Sequence, residues 1–210
     1  MRETFLETAK TQGLSHLVTA IHPQGIEDPK LPVPSADIVT FSHGYYYIPD
    51  AQKQGVLNKL TEATRERNGL AIVIIQSETS DNTWLRSHMY GNEPTGEEAN
   101  LLVQAIPNAS YDVDIVESRV TIHDLFAQRG NDDRRHERVF DPSSAGQDLL
   151  SFLLWQPWEE IHELTRQKVG DMFLEMVSRN DSPIGKEQMV FRDCFFYIRP
   201  AREGSTGTFR

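Results

Sequence analysis

Short apolar runs alternate with helical stripes along the chain, and the clearest alternation lies between Asp37 and Ser77. Ile38, Val39 and Phe41 form a β-branched and aromatic run, which predicts a strand buried on both faces. Pro49-Asp50 opens a helix with Val56, Leu57, Leu60 and Ala63 on one side, and Asn68-Gly69 ends it. The run Leu70 to Ile75 is a second buried strand. Strand, helix and strand make a parallel unit with a right-handed crossover.

The flanking segments extend the pattern. Residues 2–12 read as a helix with Phe5, Leu6 and Ala9 on one side and Gly13 at its end, and Leu17 to Ile21 as a short strand. Pro29, Pro32 and Pro34 keep the next stretch extended. After the parallel unit come a helix over 82–90 carrying Trp84, Leu85 and Met89, and a second from Thr95 to about Ile106 with Leu101, Leu102 and Ala105 inward. Gly91 caps the first of these, and Thr95 is placed to cap the second. A strand over 111–120, a short helix from Thr121 to Phe126 and a polar loop over 128–145 follow. Gly146 to Trp155 is apolar nearly all round and predicts a buried helix, which Pro157 breaks. Trp158 to Arg179 is a long amphipathic helix with Ile161, Leu164, Val169, Met172, Phe173 and Met176 as its stripe, and Met189 to Ile198 is a last strand. Residues 201–210 read as a flexible tail.

Composition narrows the class. With 210 residues the chain is long enough to bury a sizeable core as one domain, and its net charge of −10 argues against nucleic acid or an anionic membrane as partner. The charge favours a cationic substrate such as an amine. A single cysteine, Cys194, excludes an internal disulfide and a multi-cysteine zinc site, and suits a reducing, cytoplasmic setting. No apolar run reaches the ~18 residues of a membrane-spanning helix. The histidines show neither of the zinc-protease spacings, so no metal is expected, and the G-x-S-x-G pattern of serine hydrolases is absent.

In open α/β sheets ligands bind beyond the carboxyl ends of the parallel strands, which is where Ser42, His43 and Tyr45 to Tyr47 fall. His43 is suited to accepting a proton near neutral pH, and tyrosine faces hold cationic amines through cation–π attraction. The residues here also resemble a known family. Asp37, the pair Tyr46-Tyr47 with Ile48 and Asp50, and the strand Ile72 to Ser77 resemble the fourth and fifth strands of the class I S-adenosylmethionine-dependent methyltransferases, and within them the histamine N-methyltransferase-like group. The resemblance covers nearly the whole chain. It implies an incomplete α/β Rossmann-like methyltransferase sheet with helices on both faces and a C-terminal antiparallel strand, spanning residues 1–200 as the C-terminal two-thirds of the fold.

The same resemblance implies S-adenosyl-L-methionine as cofactor, contacted by Ser42 and by the segment Gln24 to Glu27, with Ile26 in it. It implies a small-molecule substrate, met by His43, Tyr46, Tyr47, Trp84 and Asp193, with His43 as the catalytic residue. His43 stands where histamine methyltransferases have a glutamine, which speaks against histamine itself. Trp84 lies one place from a pocket tryptophan of the family, and Asp193 replaces a substrate-binding asparagine. Other roles remain open for these residues: core packing for Trp84, and pairing with Arg192 or Arg199 for Asp193.

The family's glycine-rich cofactor loop has no counterpart in the sequence, where only a helix and one expected strand precede Asp37. A truncated gene product, a divergent binding mode and a second chain completing the sheet are the three explanations. The alternative to a methyltransferase is therefore an inactive or truncated domain of that type bound to a partner chain. A third reading is a small-molecule binder that uses the tyrosine cluster without methylating.

Overall fold

A computed structural model of the chain describes residues 2–18, 20, 22, 24–91, 95–121, 144–154, 156–179 and 188–201. Its elements in chain order are α1 (Arg2–Thr11), β1 (Ile38–Ser42), α2 (Asp50–Arg65), β2 (Leu70–Gln76), α3 (Asp81–Tyr90), α4 (Gly96–Gln104), β3 (Ala109–Thr121), α5 (Ser144–Leu154), α6 (Glu163–Arg179) and β4 (Gln188–Pro200). The strands form one sheet in the order β1-β2-β4-β3. β1 and β2 are parallel, with Ile38 opposite Leu70, as the strand–helix–strand reading requires. β4 runs antiparallel to both β2 and β3, with Ile75 and Ile115 facing Cys194 from either side.

Alternation along the strands sends successive side chains to opposite faces. On one face Ala71, Val73, Ile75, Cys194, Phe196 and Ile198 pack under the apolar stripes of α2 and α4. Val56, Leu57 and Leu60 of α2 are fully buried there, as their spacing predicts. Met189 and Phe191 have the other parity, and they meet Leu85 of α3, Leu150 and Leu153 of α5 and Val169 of α6 in a second cluster. Helices therefore cover both faces.

The inward face of α4 differs from the expected one. Ala99, Val103 and Ile106 are buried and Leu102 packs half-buried against the first cluster as expected, but Leu101 is 64% exposed and Ala105 faces solvent. Gly96 sets this rotation: a Cβ there would lie 2.4 Å from the Cys194 sulfur, so the helix starts with its backbone against β4. Thr95 occupies the cap position without a side-chain cap bond.

β1 is likewise not buried on both faces. Its residues alternate between exposed and half-buried, and Ile38 is 62% exposed. It is the edge strand of the described sheet, so only the side facing α2 is covered. Of the expected strand over 17–21, Leu17 ends a 3-10 turn at Ser15–Leu17 and Val18 and Ala20 belong to no strand, while Thr19 and Ile21 lie outside the described residues.

Two further differences concern the helices of the second cluster. Phe152 of α5 is exposed, so α5 is buried on one side and not all round. The long helix expected over 158–179 is a 3-10 turn at Trp158–Glu160 followed by α6, and its expected stripe residue Leu164 is exposed. Thr121, expected to start a helix, is the last residue of β3, and residues 122–126 with most of the loop over 128–145 lie outside the described residues. So do the side chains of Phe173 and Met176 and nearly all of the tail.

Among the described residues three non-glycine ones have a positive φ: His43 (49°), Asn68 (49°) and Asn108 (52°). Asparagine visits this left-handed region readily and ends α2 at Asn68, whereas His43 sits directly after a strand. Its N–H donates to the Ile74 carbonyl at 2.9 Å, which extends the β1–β2 ladder by one bond and fixes the turn.

Two stability changes follow. A left-handed non-glycine residue costs about 1–2 kcal/mol, and glycine loses about 0.5–1 kcal/mol more on folding, so His43→Gly should stabilise the protein by about 0.5–1 kcal/mol. His43→Ala, which keeps the strain, should not. Phe196 lies at the sheet centre with 0% exposure, and Phe196→Ala should cost about 3–5 kcal/mol. Urea denaturation measures all three.

Candidate functional site

The carboxyl ends of β1 and β2 carry the residues with chemistry. Ser42 closes β1 opposite Ile74, and His43 follows in its fixed turn. Gly44 then leads into a 3-10 turn at Tyr45–Tyr47. Three residues per turn send three consecutive tyrosines in three directions.

Tyr45 points inward and is 1% exposed, with its hydroxyl unpartnered among the described residues. The Lys53 ammonium lies 4.7 Å from its ring centre and is held by Asp50 at 2.7 Å and Glu98 at 2.8 Å. Burial, then the Glu98 and Asp50 charges, push the Tyr45 phenol far up, so it stays protonated. Burial alone would depress Lys53, but its bonds to Asp50 and Glu98 outweigh that and raise it. Tyr45 is thus a core residue, although it belongs to the expected binding cluster.

Tyr46 turns to the rim. Its hydroxyl accepts the Gln76 N–H at 2.5 Å, and its ring lies 6.4 Å from that of His43 at an interplanar angle of 16°. This is a nearly parallel, offset arrangement within stacking range. Tyr47 is 67% exposed on the outer side of the turn.

Asp193 joins them from β4, which places it opposite Gln76 at the end of β2. The register is locked by the turn between β2 and α3. Ser77 donates its N–H to the Arg192 carbonyl, the Ser80 hydroxyl accepts from the Arg192 N–H, and the Asp81 carboxylate accepts from the Val190 N–H. Asp193 Oδ2 then stands 3.9 Å from His43 Nε2. Burial pushes the Asp193 carboxyl above the usual carboxylate range, and the nearby imidazole works against that shift.

The arginines beside Asp193 are engaged elsewhere. Arg192 holds Glu117 at 3.0 Å and the Thr79 carbonyl at 2.7 Å, and Arg199 holds Asp112 at 3.1 Å. Asp193 is therefore paired with His43 and with neither arginine.

Four of the seven expected site residues gather on this rim: Ser42, His43, Tyr46 and Asp193. Trp84 packs against the second cluster and meets the His88 ring at a tilt of 36°, with ring centres 4.2 Å apart. Tyr47 stays at the surface. Ile26 packs against the first cluster, and its carbonyl takes a bond from Lys59 at 3.2 Å. Lys59 lies nine residues into α2, about 14 Å along the helix from its start beside the rim. The residue that sequence reasoning missed is Gln76, whose backbone N–H ties Tyr46 to the strand end. Its only sequence signal is its place as the last residue of an apolar run.

Burial, first among its influences, pushes the Cys194 thiol up, which disfavours its thiolate. Among the described residues no helix is long and apolar enough to cross a membrane.

No known family model matches the chain, and no curated protein matches it. Solved structures do. A Bacillus halodurans protein described as a "putative methyltransferase" superposes with a TM-score of 0.56 at 7% identity, covering 95% of this chain and 80% of that one. The YcgJ protein of Bacillus subtilis superposes with a TM-score of 0.52 at 10% identity, covering 93% and 76%. At such identity the likeness speaks for the fold. The chain has the α/β, Rossmann-like sheet of these proteins, with helices on both faces and an antiparallel last strand.

Proposed function

We propose that the protein is an S-adenosyl-L-methionine-dependent methyltransferase acting on a small amine. The observation that carries this reading is the rim itself: an imidazole, a carboxylate and an aromatic face meet at the carboxyl ends of parallel strands. The fold shared with a protein described as a methyltransferase supports it. Within the class, the resemblance of Asp37, Tyr46-Tyr47-Ile48 and Asp50 to the histamine N-methyltransferase type suggests a relative of that type, and His43 in place of its glutamine suggests a substrate other than histamine. Cys194, buried and unpaired, suits a reducing cytoplasm.

Ser42, exposed at the strand end, is the residue assigned to holding the proposed cofactor, while Asp193 and Tyr46 beside it offer a carboxylate and an aromatic face to the cationic amine. When bound, the cofactor supplies an electrophilic methyl group on a sulfonium. The chain's own residues would do the rest. Asp193 and Tyr46 bind and orient the amine, and His43 takes up its proton so that the nitrogen lone pair is available.

The exposed outer side of β1, with Ile38 on it, favours a second reading: an inactive domain whose sheet continues into a partner chain. Titration calorimetry with S-adenosyl-L-methionine decides between them. Cofactor binding and methyl transfer to a panel of radiolabel-acceptor amines are expected, with His43→Gln lowering kcat by about 10²–10⁴-fold. No heat at millimolar cofactor leaves the second reading.

The raised Asp193 carboxyl also sets a pH dependence. Below its raised midpoint it is neutral and attracts no cation; above it, the carboxylate does. Affinity for tetramethylammonium, which has no proton to lose, should rise with pH through that midpoint. The part of the rise due to Asp193 should vanish in Asp193→Asn, as calorimetry across pH would show.

A further inference from the structure

We propose that Asp193 is a positioning residue for His43, keeping the imidazole proton on Nε2 so that Nδ1 is the atom that accepts the substrate proton. This rests on the methyltransferase reading for its purpose, but not for its geometry. Nε2 is the ring nitrogen that faces the carboxylate, at 3.9 Å. At that separation the attraction is Coulombic, and it favours the proton on the nearer nitrogen. The tautomer of a histidine is set by the partner of one nitrogen, which leaves the other as acceptor.

Three further features hold the pair in place. The backbone of His43 is pinned at φ 49° by its bond to Ile74, so the ring leaves the strand end in one direction. The Tyr46 ring lies nearly parallel to it, and Tyr46 is itself tied to Gln76. Asp193 is opposite that same Gln76, so one backbone position of β2 anchors both partners. The arginines of the same strand, Arg192 and Arg199, are occupied by Glu117, Thr79 and Asp112 and do not compete for the carboxylate.

The proton step balances simply. The ammonium N–H bond breaks as an Nδ1–H bond forms, the positive charge passes to the imidazole, and Asp193 offsets it. The amine is left neutral with its lone pair free. Asp193 Oδ1, which has no bonded partner among the described residues, remains to orient the amine.

Long-range proton–nitrogen correlation spectra of the ligand-free protein test the assignment, at a pH where His43 is neutral. The expected result is the Nε2–H tautomer in the wild type, a mixture of tautomers in Asp193→Ala, and recovery in Asp193→Glu. The same tautomer in wild type and Asp193→Ala overturns the proposal. Should Asp193→Ala not fold, the wild-type spectrum still decides, since Nδ1–H or a mixture there overturns it. His43→Gln gives an independent reading: the Asp193 carboxyl midpoint, followed by carbon NMR, should move up when the imidazole is lost, and an unmoved midpoint overturns the pairing. None of these measurements uses cofactor. A correct tautomer in a protein without methyl transfer would refute the function and leave the positioning intact.

Discussion

The pairing of β4 between β2 and β3 is the constraint on which the rest of the structure depends. It carries Cys194, Phe196 and Ile198 under α2 and α4 on one face, and Met189 and Phe191 against α3, α5 and α6 on the other. Both apolar clusters therefore share one strand, and neither would close without it. Burial of this kind, at about 25 cal/mol per Å² of apolar surface, is the main favourable term in folding.

The same strand assembles the rim. β4 runs against β2, so a residue in its middle comes level with the carboxyl end of β2, and that residue is Asp193. Slipping the pairing by one residue would send Asp193 to the other face and put Cys194 or Arg192 in its place. The short turn after β2 prevents the slip, because Ser77, Ser80 and Asp81 each bond the backbone of β4. Core packing and site geometry are thus consequences of one register. The strained turn at His43 is the local cost of aiming its ring at that carboxylate.

The site combines groups with opposed electrostatic demands. Burial disfavours the Asp193 carboxylate, and the imidazole beside it favours it. A half-exposed acid of this kind responds to a cation more strongly than a fully solvated one, because less water screens the pair. The overall negative charge of the chain adds a weak, long-range attraction of the same sign.

The order of elements was largely legible in the sequence, because periodicity is a property of the chain itself. The stripe Val56, Leu57, Leu60 and Ala63 gave α2 its inward face, the runs at 38–41 and 70–75 gave two strands, and Gly91 and Asn68-Gly69 gave helix ends. Ser42, His43 and Tyr46 followed from the rule that ligands meet strand ends. Contacts between distant segments were decided only by the tertiary structure. The face of α4 was set by Gly96 lying on Cys194, which no local pattern encodes. Which of three tyrosines is core, rim or surface was set by a 3-10 turn whose position depends on the sheet below it. β1 looked doubly buried because its composition is apolar, yet burial depends on neighbours, and at the edge of the described sheet it has one. The pairing of Asp193 with His43 depends on strand register, which arises only when segments far apart in the chain come together.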